Sequence, residues 1–178
     1  MGRPVAVLVT GVSGSGKSTL ATHLQRAGHD AVSLDGDPAL CTWADHTGQP
    51  VTRPPLPDAR WLAEHRWIWN ADRLRQLVNA TAPDGVRVRW LCGRADNALD
   101  LADLFDLIVV LHIDEPTMRK RLLARAGGND YGRSEDTLGH ALAQHAAFTS
   151  AWRRRGAAVM DATAPLEVVA AQLLRMTW

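Results

Sequence analysis

Gly11-Val-Ser-Gly-Ser-Gly-Lys17-Ser18 decides how this chain is read. A glycine, four residues, then Gly-Lys-Ser is the spacing of a loop that wraps around phosphate. Its glycines let successive backbone N–H groups turn inward as an anion nest at a helix N-terminus. Lys17 then reaches the β- and γ-phosphates of a nucleotide, and the Ser18 hydroxyl suits Mg2+. Gly11, Ser13, Gly14, Ser15, Gly16, Lys17, Ser18 and Thr19 are the candidate nucleotide-binding residues. The flanks agree. Val5 to Thr10 is a continuous apolar run, as in a strand buried on both faces. Behind Lys17, Leu20, Ala21, Leu24 and Ala27 recur at helical spacing, and Gly28 stands where a C-terminal cap belongs.

The same alternation continues outward. Ala31–Leu34, Val86–Cys92, Leu107–Ile113 and Ala157–Met160 read as further strands. Helices are expected over Ala59–Trp69, Ala71–Ala80, Thr117–Ala126, Thr137–Arg155 and Leu166–Met176, with a short helical connection from Asn97 to Phe105. Asn70 is placed to cap the second of these helices. Pro50, Pro54, Pro55 and Pro57 make residues 48–60 a structured loop. The pattern predicts a three-layer α/β fold with a five-stranded parallel sheet flanked by helices. The 178 residues are the length of a single domain.

Composition narrows the function classes. Hydrophobic residues at 46% and charged residues at 22% are ordinary for a globular chain. The net charge of +1 argues against a polyanion partner, so no nucleic acid is expected. Lys17 and Lys120 are the only lysines among 20 basic residues. Two cysteines, Cys41 and Cys92, are too few for a disulfide framework or a four-cysteine zinc site, and read as reduced thiols. No stretch approaches the roughly 20 apolar residues of a membrane span, and the opening apolar run reads as a strand rather than a leader. A cytoplasmic location without a membrane partner is the expectation.

With the phosphate loop in place, the chain resembles the P-loop kinases of the nucleoside-monophosphate-kinase-like group, which includes adenylate, shikimate, gluconate and adenylylsulfate kinases. Leu34-Asp35-Gly36-Asp37 resembles the Asp-x-Asp segment of shikimate kinase and the Asp-Gly-Asp of gluconate and adenylylsulfate kinases. That similarity implies that Asp35 joins Ser18 in serving Mg2+, and that Asp37 lies near an acceptor hydroxyl. The same four residues are also good turn chemistry. The third strand runs into Cys92-Gly93-Arg94-Ala95-Asp96-Asn97 with no acidic residue ending its apolar run. The resemblance implies that Arg94 grips a phosphate or carboxylate of the acceptor, and Asn97 and Arg53 join it as candidate acceptor contacts.

Arg121-Leu-Leu-Ala-Arg125 resembles the arginine-bearing helix that leads into the lid of these enzymes, which places Arg121 beside the adenine and Arg125 on the phosphates. A short lid over about residues 126–136 would bring Arg133 over ATP, and is too small for a zinc-bearing lid. Met160-Asp-Ala-Thr-Ala-Pro165 resembles the adenine-contacting loop, with Thr163 and Pro165 as its candidates.

The acceptor side is expected within residues 38–80. There Trp43, Trp61, Trp67 and Trp69 accompany several arginines. Aromatics with arginines suit a planar or anionic acceptor, whereas Trp61, Leu62, Ile68 and Trp69 also suit a packing helix face; both readings stand. The resulting expectation is an ATP- and Mg2+-dependent kinase that phosphorylates a hydroxyl of a small-molecule acceptor. A nucleoside monophosphate kinase is the alternative, and a non-catalytic nucleotide-binding switch is the reading from another class.

Overall fold

β1 (Val5–Gly11) is central and buried on both faces because its residues are apolar without alternation. The computed structural model describes residues 2–125 and 130–177. After β1 come α1 (Lys17–Arg26), β2 (Asp30–Ser33), β3 (Cys41–Ala44), β4 (Pro50–Val51), α2 (Ala59–Glu64), β5 (Arg66–Trp69) and α3 (Ala71–Asn79). The second half holds β6 (Val88–Cys92), a 3-10 turn (Ala98–Leu104), β7 (Leu107–His112), α4 (Glu115–Leu123), α5 (Glu135–Arg154), β8 (Ala158–Asp161) and α6 (Leu166–Leu174). Of the expected lid, residues 126–129 lie outside the described residues.

Five strands form one parallel sheet in the order β2-β6-β1-β7-β8, with Val7 opposite both Trp90 and Leu107. Val7 and Val9 pack with Leu20, Leu24, Val169 and Leu173 of α1 and α6. Ala6 and Leu8 face the opposite layer, among Leu74, Val78, Trp69 and Trp152. The expected five-stranded parallel sheet and its helical layers are therefore present. Arg89, buried in β6, ties the far corner together through Asp30 at 2.8 Å and the carbonyls of Leu77 and Ala80.

The acceptor-side segment departs from expectation. The helix expected over 59–69 stops at Glu64, and His65 is already extended. Arg66–Trp69 is a strand, paired antiparallel with β3 so that Trp43 faces Trp67 and Cys41 faces Trp69. Alternating aromatic and β-branched side chains favour that half-buried pleated surface over a helix. With β4 they make a second, three-stranded sheet. The outer side of β5 is met by the turn after β6: Asp96 and Asn97 bond the backbone of Trp67 and Trp69 through four contacts of 2.7–2.9 Å. Asn70 caps α3 as expected, accepting from the Arg73 N–H.

Candidate active site

The phosphate loop runs from the end of β1 into α1. Gly16 holds φ +96°, a left-handed conformation that only glycine adopts without strain, and it is the residue that opens the helix. Lys17 is buried and folds back on its own loop, donating to the carbonyls of Gly11 (2.8 Å) and Val12 (3.1 Å). Burial pushes its ammonium down to about 8; Asp35 opposes the shift, while Arg94 and Arg125 add to it. Phosphate oxygens would replace that lost solvation.

Asp35 stands at the end of β2, across from the end of β6. Gly93 permits the approach, since a side chain there would put its Cβ 2.7 Å from that of Leu34 and 3.0 Å from Asp35 Oδ1. The Arg94 N–H donates to that same oxygen at 3.0 Å. The last residue of β6 is Cys92, whose thiol burial pushes up to about 12, so this strand end brings no negative charge at neutral pH.

Two cavities open here. One, of about 560 Å³, runs along Ser13–Leu20 to Arg121, Arg125 and the alternate residues Ala162, Ala164 and Leu166. The other, of about 390 Å³, lies between β3 and β5 on one side and α5 on the other, and is lined by Trp43, Trp67, Arg53, Arg94, Tyr131 and His140 among others. Ser13, Lys17 and Asp35 line both. The first has helix-terminal and cationic donors for a polyphosphate; the second has aromatic surface with scattered hydrogen-bonding groups.

Several expected residues meet in these walls: Ser13 to Thr19, Asp35, Arg121 and Arg125 in the first, Arg53 and Arg94 in the second, while Gly11 lines neither. Arg121 donates to the carbonyls of Ala162 (3.0 Å) and Gly14 (3.4 Å), bridging the phosphate loop and the loop after β8. Others lie elsewhere. Asp37 lines neither cavity; the Ala39 N–H (2.9 Å) and Arg73 (3.2 Å) take its carboxylate and hold its pKa below the ordinary range. Asn97, expected on the acceptor, spends both amide atoms on the backbone of Trp69. Arg133 is exposed and lines neither cavity. Thr163 closes a turn on Asp161, and Pro165 opens α6; neither lines the first cavity, where Ala162 and Ala164 stand instead.

Sequence reasoning did not single out Asp96, Asp130, Tyr131, His140 or Gln144, which also line the second cavity. Arg53 pairs with Asp130 at 3.0 Å. The tryptophans divide: Trp43 and Trp67 face the cavity, Trp61 packs edge-on against Trp43, and Trp69 is core at 1% exposure. Period-two aromatic spacing in Trp67-Ile68-Trp69 was the available signal for this strand.

A doubly wound parallel sheet with a phosphate loop after its first strand defines a P-loop nucleotide-binding fold. The chain belongs to the AAA domain family, whose model matches residues 7–142. Among solved structures it is similar to a shikimate kinase from Acinetobacter baumannii in complex with shikimate (TM-score 0.60, 12% identity, 97% of this chain and 92% of that one). It is also similar to a sugar kinase from Janibacter sp. HTCC2649 (0.55, 22%, 97% and 93%). A deoxyadenosine kinase from M. mycoides with bound dATP gives 0.54 at 13%, covering 97% and 98%. These likenesses are of fold. No curated protein matches the sequence.

Proposed function

We propose that the protein is an ATP-dependent kinase that transfers the γ-phosphoryl group to a hydroxyl of a small molecule held in the second cavity. The observation that carries this reading is the sharing of Ser13, Lys17 and Asp35 by the two cavities. A phosphoryl group entering from one side and an acceptor from the other would meet there. In-line transfer depends chiefly on such positioning and on neutralising charge.

In this reading the first turn of α1 and Lys17 hold the β- and γ-phosphates, and Arg125 offsets charge that develops on the transferred group. The acceptor oxygen bonds to the γ-phosphorus as the bond to the β-γ bridging oxygen breaks, and ADP leaves. Asp35, at the junction, orients the hydroxyl and receives its proton; Asp37, expected near the hydroxyl from its place in the sequence, has its carboxylate committed to Arg73 and Ala39. Ser18 and Asp35 are also the oxygen donors suited to Mg2+. Among the described residues no cluster of three ligating side chains exists, which fits an ion completed by phosphates and water. When bound, that ion would neutralise charge on the β- and γ-oxygens.

Arg53 and Arg94 favour an acceptor that carries an anionic group, and with it the nucleoside monophosphate alternative. ADP release with Mg-ATP, measured across hydroxyl acceptors and nucleoside monophosphates, separates the two. Nucleotide binding with no acceptor-stimulated release across both sets would leave the switch reading. Failure to bind ATP would remove the proposal altogether.

A further inference from the structure

Donor counting fixes a chain of hydrogen bonds in the wall of the second cavity. Arg94 has no acceptor atom, so its contact to Gln144 must be made to the amide oxygen Oε1. Gln144 Nε2, a donor, then lies 2.9 Å from His140 Nε2. A donor needs an acceptor. His140 Nε2 must therefore be unprotonated, with the ring neutral and its proton on Nδ1. The guanidinium at the other end is held further by Asp96 at 3.4 Å and by the Phe148 ring, 5.5 Å from Cζ to the centroid. Its Nε is buried with no hydrogen-bond partner among the described residues. The Tyr131 side chain also bonds the guanidinium, and Arg94 lines the second cavity, where an acceptor oxygen would meet the fork.

We propose that His140 and Gln144 are positioning residues: neutral His140 orients the Gln144 amide, Gln144 orients the Arg94 fork, and the fork so held receives an anionic oxygen group of the acceptor. Only the last step rests on the kinase reading. Protonating His140 would set two donors face to face, so the amide must turn and its oxygen leaves Arg94. The groups that face His140 are Asp96 and Arg94 from the turn after β6, and the Tyr131 ring, edge-on at 6.3 Å; Arg53 and Asp130 share the cavity wall. Burial lowers the His140 pKa, Asp96 opposes the shift and Arg94 reinforces it. The sign follows: the relay is intact above the ordinary histidine range and is lost as pH falls through the lowered value.

Nitrogen-15 NMR of the full chain tests the relay without any acceptor. The expected result is a His140 Nδ1–H tautomer and Arg94 guanidinium protons that exchange about tenfold faster once His140 protonates, the loss of one charged hydrogen bond. Gln144→Glu presents an acceptor to both neighbours, so it should raise the His140 pKa by about one unit while still holding Arg94. His140→Gln should keep the slow exchange and abolish its pH dependence. An Nε2–H tautomer in the wild type, an unmoved pKa in Gln144→Glu, or Arg94 exchange indifferent to His140 titration would each overturn the relay. Where the acceptor panel yields turnover, KM for an anionic acceptor should rise below the His140 pKa with kcat kept, and a pH-independent KM would overturn the acceptor step. A silent panel with the expected NMR pattern would instead remove the kinase reading and leave the relay standing.

Discussion

The two cavities that meet at Lys17 are built by different means. The proposed nucleotide side is made largely of one contiguous stretch, Ser13 to Leu20, whose proposed role lies in backbone conformation and one lysine. The proposed acceptor side gathers Trp43, Arg53, Trp67, Arg94 and His140 from five places in the chain. A backbone nest recognises any polyphosphate and can be written in eight residues. A side-chain cavity recognises one molecule, and its residues share no spacing. Generic and specific recognition are thus separated by the wall that Ser13, Lys17 and Asp35 form.

Changes at that wall should have the largest effects. Asp35→Asn is expected to lower acceptor-dependent turnover by roughly 10²–10⁴, and Lys17→Ala by roughly 10²–10³ with weakened nucleotide binding. ADP-release kinetics read the first, and calorimetry with ATP reads the second. Near-normal turnover in Asp35→Asn would dissolve the idea that the cavities cooperate through it.

The tryptophans divide the comparison within one strand. Trp69→Ala removes a core side chain and should cost about 3–5 kcal/mol in denaturant unfolding. Trp67→Ala should instead raise acceptor KM, with a smaller loss of stability. An unchanged KM would return Trp67 to packing alone.

A smaller effect distinguishes the lysine itself. Its pKa of about 8 in the nucleotide-free protein means that it loses charge as pH rises through that value. Polyphosphate favours the charged form, so ATP affinity should fall above about pH 8, with proton uptake on binding. Calorimetry in buffers of different ionisation enthalpy measures that uptake; its absence at alkaline pH would show Lys17 fully charged before binding. Least of all should Asp37→Asn matter, changing turnover by less than about threefold, as for a half-buried ion pair outside both cavities. A loss of orders of magnitude would return the hydroxyl to Asp37.

The sheet and the phosphate loop were legible in sequence because local rules govern them: an apolar run, glycines, a lysine and helical spacing between Val5 and Ala27. The helix expected through Trp69 failed because β3, two dozen residues upstream, claims Arg66–Trp69 as a strand. That pairing is tertiary, and the short period-two spacing of Trp67 and Trp69 announces it only weakly. Asp37 and Asn97 looked functional by position, yet Arg73 and the Trp69 backbone consume them. Gln144 and His140 carried no motif at all. Their relation exists only once α5 lies beside the turn after β6.

Asp96 and Asn97 leave one more consequence. β5 is the terminal strand of the small sheet, and such a rim normally presents unpaired amides to which a foreign chain can add. Here the two polar residues satisfy the rim at Trp67 and Trp69, so the turn after β6 acts as a counterfeit neighbour strand. Aromatic cavity-lining surface can then be displayed on a short strand without leaving its rim open to a foreign strand. Asn97 therefore occupies the backbone groups of Trp69 that an added strand would need.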